Sequence, residues 1–156
     1  MNAVSLPVAP PTEAVAVPAV ARRIVHAGLG VFVFAAVLVW LVKGHADAHF
    51  YATLALSAYA GLVLALLAGV HWGIAMRHPG APAGLFAWPA LLLIGTWVTV
   101  VMPPYAGLVI AGVLLVASYL VDRKRYPVEG LSHWLTLRFR LSAGGAFCCW
   151  FAAAQA

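Results

Sequence analysis

The chain predicts an all-α fold, a polytopic membrane bundle of five transmembrane helices, and three observations lead there. It is 65% hydrophobic and only 8% charged, whereas a soluble domain carries about a quarter charged residues. Five apolar segments, at about 24–42, 50–76, 85–102, 105–121 and 137–155, lie near or above the roughly 20 residues a spanning helix needs. Eight of the nine Lys and Arg residues fall on one side of those segments.

Residues 1–21 contain Pro7, Pro10, Pro11 and Pro18 and a single charge, Glu13. That many prolines break a helix, so this stretch reads as a flexible extended tail ahead of a transmembrane domain over 22–156. It lacks the basic start and short apolar core of a secretory signal. Arg22-Arg23 only superficially resembles a twin-arginine signal, because the apolar run after it is too long.

Segment one runs from Ile24 to Val42. Segment two, from about Phe50 to Met76, exceeds the spanning length and is expected to tilt or project. Segments three (Leu85 to Met102) and four (Tyr105 to Val121) are separated by Pro103-Pro104, a turn short enough to force an antiparallel hairpin with proline starting the second helix. Segment five begins near Leu137, and its purely apolar part is Leu141 to Ala154, so Arg138 and Arg140 must snorkel from its first turns if it spans. Trp40, Trp72, Trp88, Trp134, Tyr51, Tyr105 and Tyr126 lie near segment ends, where amphipathic rings prefer to sit.

The basic residues orient the bundle. Arg22, Arg23, Arg77, Arg123, Lys124, Arg125, Arg138 and Arg140 share one side, and Lys43 stands alone on the other. The positive-inside rule then places the N-terminus in the cytoplasm and the C-terminus outside, as expected of a multi-pass protein of the bacterial cytoplasmic (inner) membrane. The same rule accounts for the net charge of +5, so no nucleic-acid partner is expected.

On segment two, Thr53, Ser57, Gly61, Ala65, Gly69 and Gly73 recur every four residues. Helices in lipid associate through close packing, which small side chains permit. Segment two is therefore the candidate central helix, packed within the bundle or against a homo-oligomer or membrane-protein partner.

Antiparallel alternation brings several polar residues to one end: His26, His71 and Arg77, Asp122 and Arg138. A carboxylate is unfavourable at a helix C-terminus, so Asp122 needs a cation, and Arg77 or Arg138 supplies it. His71 lies inside the membrane edge, where an ionisable residue is a functional candidate. The cluster reads either as a structural polar cap or as a small-molecule or proton site. His26 and His71 facing each other across a haem is a weaker form of the second reading. On the other side, His45-x-Asp47-x-His49 reads as a solvated loop rather than a metal site. The adjacent Cys148 and Cys149 point in different directions on a helix and are not expected to pair. No nucleophile elbow, P-loop, zinc-protease or dinucleotide signature occurs, and only four carboxylates exist, which argues against acid–base catalysis.

Three stretches together resemble an uncharacterised membrane family, domain of unknown function 3429, whose members include the mitochondrial transmembrane protein 69. They are Leu67-Ala68-Gly69-Val70-His71-Trp72-Gly73, which departs from the family's G-G-(V/I)-H-W-G at Ala68; the Asp122-Arg123 pair; and Trp134-x-x-Leu137-Arg138-x-x-Leu141-Ser142. The resemblance implies an inner-membrane helical protein and brings no activity. It points to His71, Trp72, Asp122, Trp134 and Arg138.

Taken together, the sequence leads first to a non-enzymatic structural or assembly role through helix contacts. The alternative is a binding or redox site for a lipid, quinone or haem around His71, and a weaker one is transport of a small solute or proton. No cofactor is expected.

Overall fold

A computed structural model describes residues 16–80 and 82–155. Most of the tail expected over residues 1–21 lies outside the described residues. Its last part does not: Pro18 caps α1 (Ala19–Leu41), so Ala19, Val20 and Ala21 are helical. Proline fixes φ in the right range for a helix start, and Ala and Arg are strong helix formers.

α2 (Ala46–Met76) also starts earlier than expected, with Asp47 in its first turn, where the positive end of the helix dipole favours a carboxylate. His45, Asp47 and His49 therefore form the cap and first turn of a helix rather than a loop. Among the described residues, no group of three or more His, Cys, Asp or Glu side chains is arranged to hold a metal.

α3 spans Ala83–Val101 and α4 spans Pro104–Arg125, with Pro104 at the first helical position. The Pro-Pro turn thus makes the expected hairpin. α4 runs one turn further than expected because Arg123, Lys124 and Arg125 complement its negative end. A single 3-10 turn, Ser132–Trp134, leads into α5 (Leu135–Ala153). Four helices, α1 to α4, are long and apolar enough to cross a membrane. The 19-residue α5 carries Arg138 and Arg140.

α2 touches every other helix. Around it stand α3, α4, α5 and α1 in that order, each in contact with the next, while α1 and α3 do not meet. α1, α3 and α5 run one way, and α2 and α4 the other. Eight of the nine Lys and Arg residues therefore lie at or near one end of the bundle, called here the basic end.

Polar bonds tie the helices together. The Ser57 hydroxyl donates to the Thr99 carbonyl at 3.2 Å, joining α2 to α3. Tyr59 donates to the Gly28 carbonyl at 3.0 Å, joining α2 to α1. The Trp150 indole donates to Val109 at 3.2 Å, joining α5 to α4. Two glycines make this possible: a Cβ at Gly107 would strike the Thr99 carbonyl oxygen, and one at Gly112 would enter the Trp150 indole.

The row of small residues on α2 divides in two. Thr53, Ser57 and Gly61 are buried, Ala65 is half-buried, and Gly69 and Gly73 are exposed. At Gly69 and Gly73 an added Cβ would meet nothing within 4 Å. The reason is geometric. With 3.6 residues per turn, a step of four residues drifts by about 40°, so the row rotates by about 200° from Thr53 to Gly73. The face that stays buried instead follows Leu56, Ala60, Leu64, Leu67, His71 and Ile74. Cys148 and Cys149 are both buried and free.

Candidate functional site

Three helices deliver one charged or polar group each to the interior of the basic end. His71 comes from the penultimate turn of α2, Asp122 from the last turn of α4, and Arg138 from the first turn of α5. The α4–α5 connection reverses through Gly130, whose φ of 72° suits glycine. It is closed by a bond from the Leu131 amide to the Tyr126 carbonyl at 2.7 Å. That reversal places Arg138 against Asp122.

Arg138 Nε donates to Asp122 Oδ2 at 2.6 Å, and Nη2 of the same guanidinium also contacts Oδ2. The other carboxylate oxygen, Oδ1, lies 2.7 Å from His71 Nε2. This is a close approach of two polar groups rather than an aligned hydrogen bond. His71 is 1%, Asp122 0% and Arg138 7% exposed, so all three are buried. Polar atoms remain without partners nearby: Arg138 Nη1, His71 Nδ1, Trp88 Nε1 and Ser142 Oγ. Such groups are costly when left unpaired.

Aromatic rings enclose the histidine. Trp88 of α3 meets it edge-on, and Tyr126 lies tilted beside it, each with ring centres 6.4 Å away. Burial first, and then the Asp122 carboxylate, pushes the Tyr126 phenol above its ordinary 10.0, against a smaller opposing pull from Arg138. The phenol therefore stays protonated, a neutral neighbour to the ion pair.

Beside the cluster is a cavity of about 420 Å³ between α1, α2 and α5. Its walls are apolar: Val25, Leu66, Leu67, Val70, Leu137 and Leu141, with Trp134 beside them. Leu66 and Val70 are exposed and form its rim. Among the described residues, Arg138 is the one charged residue lining it.

Of the residues singled out in the sequence, His71, Asp122 and Arg138 come together, and Trp134 joins them through the cavity wall. Arg77 does not. It is exposed just past the end of α2, and the cation of Asp122 is Arg138. His26 is exposed, with its Nδ1 bonded to the Arg22 carbonyl at 2.8 Å. His71, by contrast, is buried. Trp72 is partly exposed and packs edge-on against Phe86 at 5.7 Å. Tyr126 and Trp88, whose places near segment ends suggest the interfacial belt, both flank the histidine. For Tyr126 a signal existed, since it follows Asp122 by four residues and so lies on the same helical face. A second contact at this end, His78 to both oxygens of Glu129 at 3.0 Å, links two loops and had no signal in the sequence.

A family described as "Protein of unknown function (DUF3429)" matches residues 17–154. The chain belongs to this family. Its match covers all five helices, and with them the buried cluster and the cavity. No curated protein and no solved structure matches the chain.

Proposed function

We propose that this member of the family is a non-enzymatic, multi-pass protein of the cytoplasmic membrane that binds a small hydrophobic molecule in the cavity between α1, α2 and α5. The observation that carries the reading is the cavity itself. It has apolar walls, and the charged residue that lines it among the described residues, Arg138, has its guanidinium buried behind them. Its volume falls within the roughly 300–1,000 Å³ usual for small-molecule sites. The ion pair with Asp122, braced by His71, fixes Arg138 and so holds α5 against α2 and α4 around the cavity. The buried half of the row of small residues is consumed by contacts within the chain, and an assembly role would rest on its exposed half, Gly69 and Gly73.

In this reading the basic end faces the cytoplasm, and α5 is a fifth span. Nineteen residues give about 28 Å of helix, close to the roughly 30 Å hydrocarbon core.

The test is mass spectrometry of the intact protein released from mild detergent. Wild type is expected to carry a hydrophobic adduct. Val70→Trp, which places an indole at the cavity rim, is expected to lose it while keeping its helical signal. A wild type without adduct, or a Val70→Trp protein that keeps it, refutes the proposal.

A further inference from the structure

The apolar cavity does not stand alone. A second cavity of about 260 Å³ opens beside it at the basic end, lined by Arg22, His133, Thr136, Leu137 and Arg140, with Ala16 and Val17 at its edge. Leu137 lines both cavities. The two are chemically opposite neighbours: one wall carries two guanidiniums, an imidazole and a hydroxyl, and the other is almost entirely hydrocarbon. Among the described residues, no carboxylate lines either cavity. Among the described residues, Asp122 is engaged with Arg138 and His71 and Glu129 with His78, while Asp47 lies at the far end of the bundle. Neither Arg22 nor Arg140 has a carboxylate partner among the described residues.

From these two cavities we infer that the ligand is an anionic phospholipid, with its phosphate in the cup of Arg22, His133 and Arg140 and the start of one acyl chain in the apolar cavity. This rests on the reading of the apolar cavity as a ligand site. The geometry follows the depth of a lipid. Arg22 stands at the start of α1, and Val25, one turn on, is about 4.5 Å deeper. On α5 the wall continues inward from Leu137 to Leu141, and on α2 from Val70 to Leu66. The head group thus sits at the membrane edge, and the chain leaves past the exposed rim of Leu66 and Val70 into the bilayer. Basic pockets between membrane helices on the cytoplasmic side suit anionic head groups. Thr136 and His133 add hydrogen-bond donors, which a bare basic surface would lack.

The experiment compares phosphatidylglycerol with phosphatidylcholine of the same acyl chains, titrated onto the full chain in mild detergent and read as bound lipid by native mass spectrometry. Two arginines at about fivefold each give an expected preference of about 25-fold for phosphatidylglycerol. The double variant Arg22→Gln/Arg140→Gln is expected to reduce that preference to less than about threefold and still bind both lipids weakly. Both residues are exposed, so this variant keeps the fold. Val70→Trp is expected to lose both lipids. Inorganic phosphate is expected not to displace phosphatidylglycerol. Equal binding of the two lipids by wild type, with loss of both in Val70→Trp, overturns the head-group assignment and leaves the cavity reading intact. Undiminished binding in Val70→Trp overturns the cavity reading itself. Displacement of the lipid by millimolar inorganic phosphate points to a free-anion site and overturns the lipid assignment.

Discussion

Replacing Arg138 with methionine removes a charge and leaves the shape of the site nearly unchanged. Asp122 is fully buried, and among the described residues its oxygens pair with Arg138 and His71. Without the guanidinium, a buried carboxylate loses its main partner, and breaking such a pair costs about 3–5 kcal/mol. That lowers the ratio of folded to unfolded chains by about 150- to 5,000-fold. Asp122→Leu strands the guanidinium instead and is expected to cost a similar amount. The double variant Arg138→Met/Asp122→Leu removes both charges, and replacing a buried pair by apolar groups is often neutral, so it is expected to lie closer to wild type than either single variant. Reversible unfolding in detergent, followed by circular dichroism, gives the coupling between the two sites. A value of at least about 2 kcal/mol is expected. A coupling below about 0.5 kcal/mol, the scatter seen for independent sites, refutes the claim that this pair organises the basic end.

Gly107→Ala forces a methyl against the Thr99 carbonyl and is expected to destabilise by about 1–3 kcal/mol, measured in the same unfolding assay. Gly69→Leu enters open space and is expected to change the stability of the isolated chain by less than about 0.5 kcal/mol; a larger loss would place Gly69 in a contact absent from the monomer. The raised pKa of Tyr126 favours the neutral phenol in the folded chain, while the unfolded chain ionises near 10.0. Stability should therefore be unaffected by this group below that pH and fall as pH rises through the window above it, with a shallower fall in Tyr126→Phe; equal slopes would remove the role given to its burial. A reporter active only in the cytoplasm, fused to the C-terminus, should stay inactive, and activity would reverse the orientation.

Much of this architecture was legible because hydropathy and charge act over whole segments. The five helices, the hairpin at Pro103-Pro104 and the charge asymmetry needed no neighbours to interpret. His71, Asp122 and Arg138 were legible for a related reason: alternating helices bring alternate ends together. Whether Asp122 chose Arg77 or Arg138 was not. That choice depends on the reversal at Gly130, which turns α5 back against α4 while Arg77 stays exposed past the end of α2. The outer half of the small-residue row misled because spacing by four looks like one face yet winds around the helix. The close approaches at Gly107 and Gly112 depend on what stands opposite, Thr99 and Trp150, and no local pattern announces either. The basic cup was invisible for the same reason, since Arg22 lies more than a hundred positions before His133 and Arg140.

The ion pair also has a consequence for how the chain is made. Its two charged members are only 16 residues apart, while His71 is synthesised well before both. A lone Asp or Arg costs about 2.5–3.5 kcal/mol at the centre of an inserting helix and less near its ends, where Asp122 and Arg138 stand, yet α5 still carries two arginines in its first two turns. Paired across the α4–α5 turn, Asp122 and Arg138 can pass from the insertion machinery into lipid as one neutral unit. The last two helices would then be delivered as a preformed hairpin, and His71 would wait in the bilayer until that hairpin docks and encloses it.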